Sequence, residues 1–134
     1  MGNEPAVLIV DDDAGILETM SDILKELHFK VTVANDGFKA IELVKNGTFD
    51  AILMDIRMPG IDGVETFKRI KRIRPGSKII FMTAYAFEEL VTEAKREGAT
   101  AVLYKPIDIG NLEKMLRNAK PNGSKPQKFQ QFSS

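Results

Sequence analysis

The sequence predicts an α/β fold: a doubly wound parallel sheet of five strands with helices on both faces. Three observations carry this expectation. Short apolar runs recur along the chain, each too brief for a helix. Between them lie segments whose apolar residues repeat at the spacing of one helical face. The length, 134 residues, suits one domain around one core.

Ala6-Val-Leu-Ile-Val10 is the first run and reads as a strand buried on both faces. Ile16, Leu17, Met20, Ile23, Leu24 and Leu27 then mark one face of a helix. Lys30 to Ala34 is a more alternating strand, as at a sheet edge. Phe38, Ile41 and Val44 mark the second helix, with Asp36 as its N-cap and Gly47 past its end. Asp50-Ala-Ile-Leu-Met54 is the third strand. Val64, Phe67 and Ile70 mark the third helix, stopped by Arg74-Pro75-Gly76. Lys78-Ile-Ile-Phe-Met82 is the fourth strand. Leu90, Val91 and Ala94 lie on a fourth helix that ends at Gly98. Ala101-Val-Leu-Tyr104 is the fifth strand, and Leu112, Met115, Leu116 and Ala119 stripe the last helix. Right-handed crossovers between such units give the flavodoxin-like strand order 2-1-3-4-5.

From Lys120 the composition turns to Pro, Gly, Ser, Gln and Lys. Such a segment buries too little apolar surface to offset its ordering entropy. The expected organisation is one domain over 1–119 and a flexible tail or linker over 120–134. Phe129 and Phe132 are candidates there for a short docking element.

Composition narrows the function. Lys plus Arg and Asp plus Glu are 19 each, so there is no electrostatic footprint for nucleic acid or an anionic membrane. With no cysteine there is neither a disulfide framework nor a thiolate metal site. No apolar stretch is long enough to cross a bilayer, and Met1 to Pro5 shows no secretory signal. A cytoplasmic protein is expected.

In an open parallel sheet, ligands bind beyond the carboxyl ends of the strands, where strand order reverses. Asp11, Asp12 and Asp13 follow the first strand, Asp55 the third, Thr83 the fourth, and Lys105 and Pro106 the fifth. The second strand delivers only Asn35 and Asp36, away from that crevice. Carboxylates brought together repel, so a proton or a cation must enter. Oxygen-only ligands suit a hard divalent ion such as Mg²⁺. Lys105 adds a positive charge and Thr83 a hydroxyl. The set suits a phosphoryl group beside Mg²⁺, with a carboxylate as nucleophile.

Other polar residues have plainer readings. Asp13 suits the N-cap of the first helix and Asp62 a turn or cap. His28 belongs at the first helix's C-terminus, where positive charge is favourable. Lys68, Arg69, Lys71, Arg72 and Arg74 form a basic run that is ordinarily a solvated face. Met54, Met58 and Met82 are packing or loop residues.

These residues resemble the response-regulator receiver domains of two-component and phosphorelay pathways. Leu-Ile-Val-Asp11-Asp12-Asp13 looks like that family's acidic pair. Leu53-Met-Asp55-Ile-Arg-Met-Pro59-Gly-Ile-Asp-Gly63 looks like its phospho-acceptor loop, Met82-Thr83-Ala84 like its switch threonine, and Lys105-Pro106 like its lysine–proline pair. The resemblance covers Ala6 to about Ala119. It implies that Asp55 accepts a phosphoryl group from a phosphohistidine on a sensor histidine kinase or histidine phosphotransferase. Asp12, Asp55 and the Arg57 backbone carbonyl would ligate Mg²⁺, and Asp11 would do so through water. Lys105 would pair with the phosphoryl group, Thr83 would swing to donate to it, and a cis peptide would precede Pro106. Pro59 and Gly60 would shape the loop that places the Arg57 carbonyl. The protein would be a signalling switch or shuttle rather than an enzyme with a separate substrate, acting on a downstream effector or phosphorelay protein.

Many receivers carry an aromatic residue three positions before the lysine. Here that position is Val102. Tyr104 adjoins Lys105 and is expected to point the other way along an alternating strand, so threonine–aromatic coupling is not expected in its usual form; Tyr85 is a substitute candidate. Ala14-Gly15-Ile16 and Thr83-Ala84-Tyr85 are similar to sporulation-type stand-alone receivers. The alternative is a small haloacid-dehalogenase-like phosphohydrolase, with Asp11 as nucleophile and Asp13 as acid/base, which leaves Asp55 without a role. A third reading is an unphosphorylated interaction module.

Overall fold

The computed structural model describes residues 4–84 and 89–119. Five strands alternate with five helices: β1 (Ala6–Val10), α1 (Ala14–Glu26), β2 (Lys30–Ala34), α2 (Gly37–Asn46), β3 (Ala51–Asp55), α3 (Gly63–Ile73), β4 (Ile79–Thr83), α4 (Glu89–Arg96), β5 (Ala101–Tyr104) and α5 (Ile109–Ala119). All sheet pairings are parallel, in the order β2-β1-β3-β4-β5. The expected fold and order therefore hold. Lys120 to Ser134 and Tyr85, and with them the tail and the Tyr85 coupling, lie outside the described residues.

The central strands are apolar throughout because each face of the sheet meets helices. Leu8, Val10, Ile52, Met54, Ile79 and Phe81 point into a core shared with α2, α3 and α4. Val7, Ile9, Leu53, Ile80 and Met82, one residue out of phase, point into a core shared with α1 and α5.

Asp13, Asp36 and Asp62 cap α1, α2 and α3, each carboxylate accepting from backbone N–H groups of the first turn. At the far end of α1, Phe29 N donates to Leu24 O and His28 N to Lys25 O, both at 3.0 Å. These bonds make a Schellman end, with His28 at φ 72° where glycine is usual. Gly98 closes α4 in the same way at φ 97°.

Phe38 departs from its expected place. It is 55 % exposed, and α2 buries Gly37, Ala40 and Val44 instead. A β-carbon on Gly37 would overlap the Thr66 hydroxyl and Ile61, so α2 sits tight on α3 and turns its small residues inward.

Candidate functional site

The polar strand ends converge at the carboxyl edge of β1, β3, β4 and β5. Parallel pairing requires this, since every strand runs the same way and Asp11, Asp55, Thr83 and Lys105 each end or follow one. Carboxylate oxygens of Asp11, Asp12 and Asp55 lie within 4.8 Å of one another. Lys105 Nζ stands 3.5 Å from Asp55 Oδ2 and 3.7 Å from Asp11 Oδ2. Thr83 is buried at the end of β4, and the peptide between Lys105 and Pro106 is cis, as expected.

Asp11 is the deepest of the acids. Its side chain is 1 % exposed, against 14 % for Asp55, while Asp12 is open to solvent. Asp11 Oδ1 accepts from Asp13 N at 2.9 Å. Its Oδ2 is buried with no hydrogen-bond partner among the described residues. Burial first, then the charges of Asp55 and Asp12, push its carboxyl above the ordinary value; the Asp13 N–H and Lys105 only partly offset this. A buried carboxylate oxygen without a donor is costly unless something else supplies positive charge.

That observation, with an all-oxygen donor set of three carboxylates, fits a hard divalent cation. Lys105 alone cannot balance three negative charges.

The loop after β3 holds the rest. Arg57 N donates to Asp55 Oδ1 at 3.3 Å, and the Arg57 side chain is exposed. Gly60 takes φ 87° and packs beside the Phe38 ring. Gly63 N donates to Ile56 O at 2.7 Å. A β-carbon on Gly63 would lie 2.5 Å from the Asp55 carbonyl oxygen and 3.0 Å from Phe81. Only glycine lets α3 start so close to the acidic strand end.

Two expectations need correction. Val102 and Tyr104 are two residues apart and so share a face of β5. Val102 packs on the core beneath α2, α3 and α4, and Tyr104 lies opposite Thr83 in register. Tyr104 thus stands on the same side of the sheet as the position it was set against. The hydrolase alternative also loses its parts. Asp13 is committed to capping α1, accepting from Gly15 N at 2.9 Å and Ile16 N at 3.2 Å, and its supposed nucleophile, Asp11, is the most buried acid of the cluster.

The family model described as the response regulator receiver domain matches residues 7–117. The chain belongs to this family. As a receiver domain of two-component systems it is a signalling protein, and the hydrolase alternative finds no support among its relatives. It is 37 % identical over 118 residues to the transcriptional regulatory protein ZraR of Klebsiella oxytoca, covering 88 % of this chain and 27 % of that protein. The chain thus spans about a quarter of that relative's length. It is 32 % identical to sporulation initiation phosphotransferase F of Bacillus subtilis, covering 86 % of this chain and 93 % of that one. The receiver domain of sensor histidine kinase PA1611 from Pseudomonas aeruginosa, solved with magnesium in its active-site cleft, is 27 % identical. Its TM-score is 0.79, with 86 % of this chain and 96 % of that chain covered. No described helix is long and apolar enough to cross a membrane.

Proposed function

We propose that residues 1–119 form a receiver domain that takes a phosphoryl group from a phosphohistidine onto Asp55 in a Mg²⁺-dependent reaction, and that it acts as a signalling switch or phosphoryl shuttle. One observation carries this reading: three carboxylates meet one ammonium around a buried oxygen that lacks a hydrogen bond.

Asp55 is the proposed acceptor because it combines partial exposure with contact to Lys105. One of its oxygens attacks phosphorus as the bond to the partner's imidazole nitrogen breaks, and the imidazole leaves with that electron pair. Lys105 follows the charge from the carboxylate to the phosphoryl oxygens. Thr83, next along the strand ends, turns its hydroxyl toward them. Asp12, Asp55 and the Arg57 carbonyl are the proposed direct metal ligands, with Asp11 acting through water. Bound Mg²⁺ supplies charge neutralisation to the transferring group in both directions, so self-catalysed dephosphorylation shares the requirement.

The proposed donor is a sensor histidine kinase or histidine phosphotransferase, and the recipient a downstream effector or a further phosphorelay protein. A groove of about 600 Å³ beside Asp13 and Lys105, lined by Ile16, Met20, Ile23, Ile107 and Ile109, supports a protein donor that covers apolar surface while it reaches Asp55. The likeness to a sporulation phosphotransferase over nearly its whole length favours the shuttle role. The cell interior, without membrane insertion or direct nucleic-acid contact, is the proposed setting.

The test is acetyl phosphate with Mg²⁺, followed by borohydride trapping and mass mapping. Label is expected on Asp55, to be lost in Asp55→Asn and with chelator. Label on Asp11, or retained in Asp55→Asn, would falsify the assignment.

A further inference from the structure

A second group of charges lies between α3 and α4. Over its described residues, Glu89–Arg96, helix α4 buries Val91 and Ala94 and packs the half-buried Leu90 on the core. Charge marks its place. Lys68 Nζ donates to Glu93 Oε2 at 2.9 Å. Lys71 Nζ donates to Glu97 Oε1 at 2.9 Å and to the Glu97 carbonyl at 2.8 Å. Lys68 and Lys71, three apart on α3, face Glu93 on α4 and Glu97 just past its end, so the pairs sit about one turn apart.

The two halves of this ladder connect to the site by different routes. Lys71 lies 4.9 Å over the Phe67 ring, and Phe67 meets Phe81 edge-on at 5.9 Å. Phe81 stands on β4 two residues before Thr83. Gly63, at the start of α3, packs against both Phe81 and the Asp55 carbonyl. The basic half therefore rides on the helix seated against Asp55. The acidic half rides on the helix that follows Thr83 in the chain.

We propose that the Lys68–Glu93 and Lys71–Glu97 ladder is an ionic latch that fixes α4 on α3 and thereby restrains the Thr83 end of β4. The coupling to Thr83 rests on the phosphoryl-transfer reading above; the latch itself does not. An isolated exposed ion pair contributes little. Here two pairs, a helix-end carbonyl and an aromatic ring act at one contact. Glu93 holds the Lys68 ammonium above its ordinary range and Lys71 holds Glu97 below its own, as formed pairs require. The pairs are about one-third exposed, so salt screens them and the latch responds to ionic strength.

The test is amide hydrogen exchange at low salt, with Glu93→Gln/Glu97→Gln against the unaltered chain. Exchange in α4 is expected to quicken about fivefold while α1 stays unchanged. Adding ~1 M NaCl to the unaltered chain should reproduce the effect, since the Debye length falls to about 3 Å. The swap Lys68→Glu/Glu93→Lys should return most of the protection. Glu113→Gln, which breaks an exposed pair within α5, should leave α4 alone. Unchanged α4 exchange, or equal quickening in the α5 control, overturns the latch. In a second arm, acetyl phosphate labelling of the glutamine variant is expected to run about threefold faster, as a modest barrier change would give. A loosened α4 with an unchanged labelling rate overturns the coupling to Thr83. Absence of label from both proteins overturns the acceptor reading and leaves the exchange result standing.

Discussion

The carboxylate pocket and the α3–α4 ladder are built from the same groups with opposite balances. In the pocket, three carboxylates face one ammonium, and Asp11 Oδ2 is buried without a hydrogen bond. In the ladder, two ammonium groups meet two carboxylates, each pair bonded at 2.9 Å and partly solvated. A single matched pair near solvent costs little and contributes little, so the ladder's hold comes from its pairs acting together. Mismatched charges in a buried place oppose folding and persist where another charge completes them. What separates site from scaffold is therefore the count of charges and their access to water, since the residue types are alike.

Removing the pocket's ammonium should have the largest effect. Lys105→Met removes the ammonium that stands 3.5 Å from Asp55 and 3.7 Å from Asp11. In chelator, the chain is expected to lose about 2 kcal/mol in urea denaturation, less than for a fully buried pair because Lys105 reaches solvent. Unchanged stability would mean that Lys105 does not balance the pocket. The next effect has the opposite sign. Asp11→Asn keeps the oxygen that accepts from Asp13 N, deletes a negative charge and supplies donors to its neighbours. A gain of about 1 kcal/mol is expected in chelator. Mg²⁺ is expected to raise the Tm of the unaltered chain, and to raise it less in this variant. A destabilised variant would show that the pocket is not under electrostatic strain.

The pocket was legible because parallel strands fix where their ends go. Once Asp11, Asp55, Thr83 and Lys105 are assigned to strand ends, their meeting follows from topology. The ladder was not legible. Lys68 and Lys71 read as a solvated run because their partners lie 25 and 26 positions away, beyond any local helical pairing rule. Phe38 misled for a related reason: helical spacing placed it with Ile41, but tight packing at Gly37 set the rotation of α2. His28 lies at the end of α1 as expected, but no sequence pattern announced its left-handed backbone, a role glycine usually signals. Strands β3 and β4 each run one residue further than their apolar runs, to Asp55 and Thr83. These two candidate site residues therefore sit on the sheet's own rim.

The smallest expected effect, and the sharpest test of the contrast, is the pH dependence of stability in chelator. Asp11 is raised above its unfolded value of 3.8. Its share of stability is whole below 3.8 and is lost as pH rises through the raised value, so the pocket gains on acidification from neutral. Glu97 is held below its unfolded value of 4.5 by the Lys71 hydrogen bond. Its share is whole above 4.5 and is lost as pH falls through the lowered value. Lys68 is raised above 10.5 by Glu93, so its share is whole below 10.5 and is lost only as pH rises through the raised value. Acidifying from neutral should therefore first move the urea midpoint upward through Asp11, and below 4.5 the protonation of Glu97 works against that gain. Asp11→Asn should remove the first slope and spare the second, and Glu97→Gln should do the reverse. If both variants flatten the same part of the profile, the pocket and the ladder belong to one charge network, and the contrast between them fails.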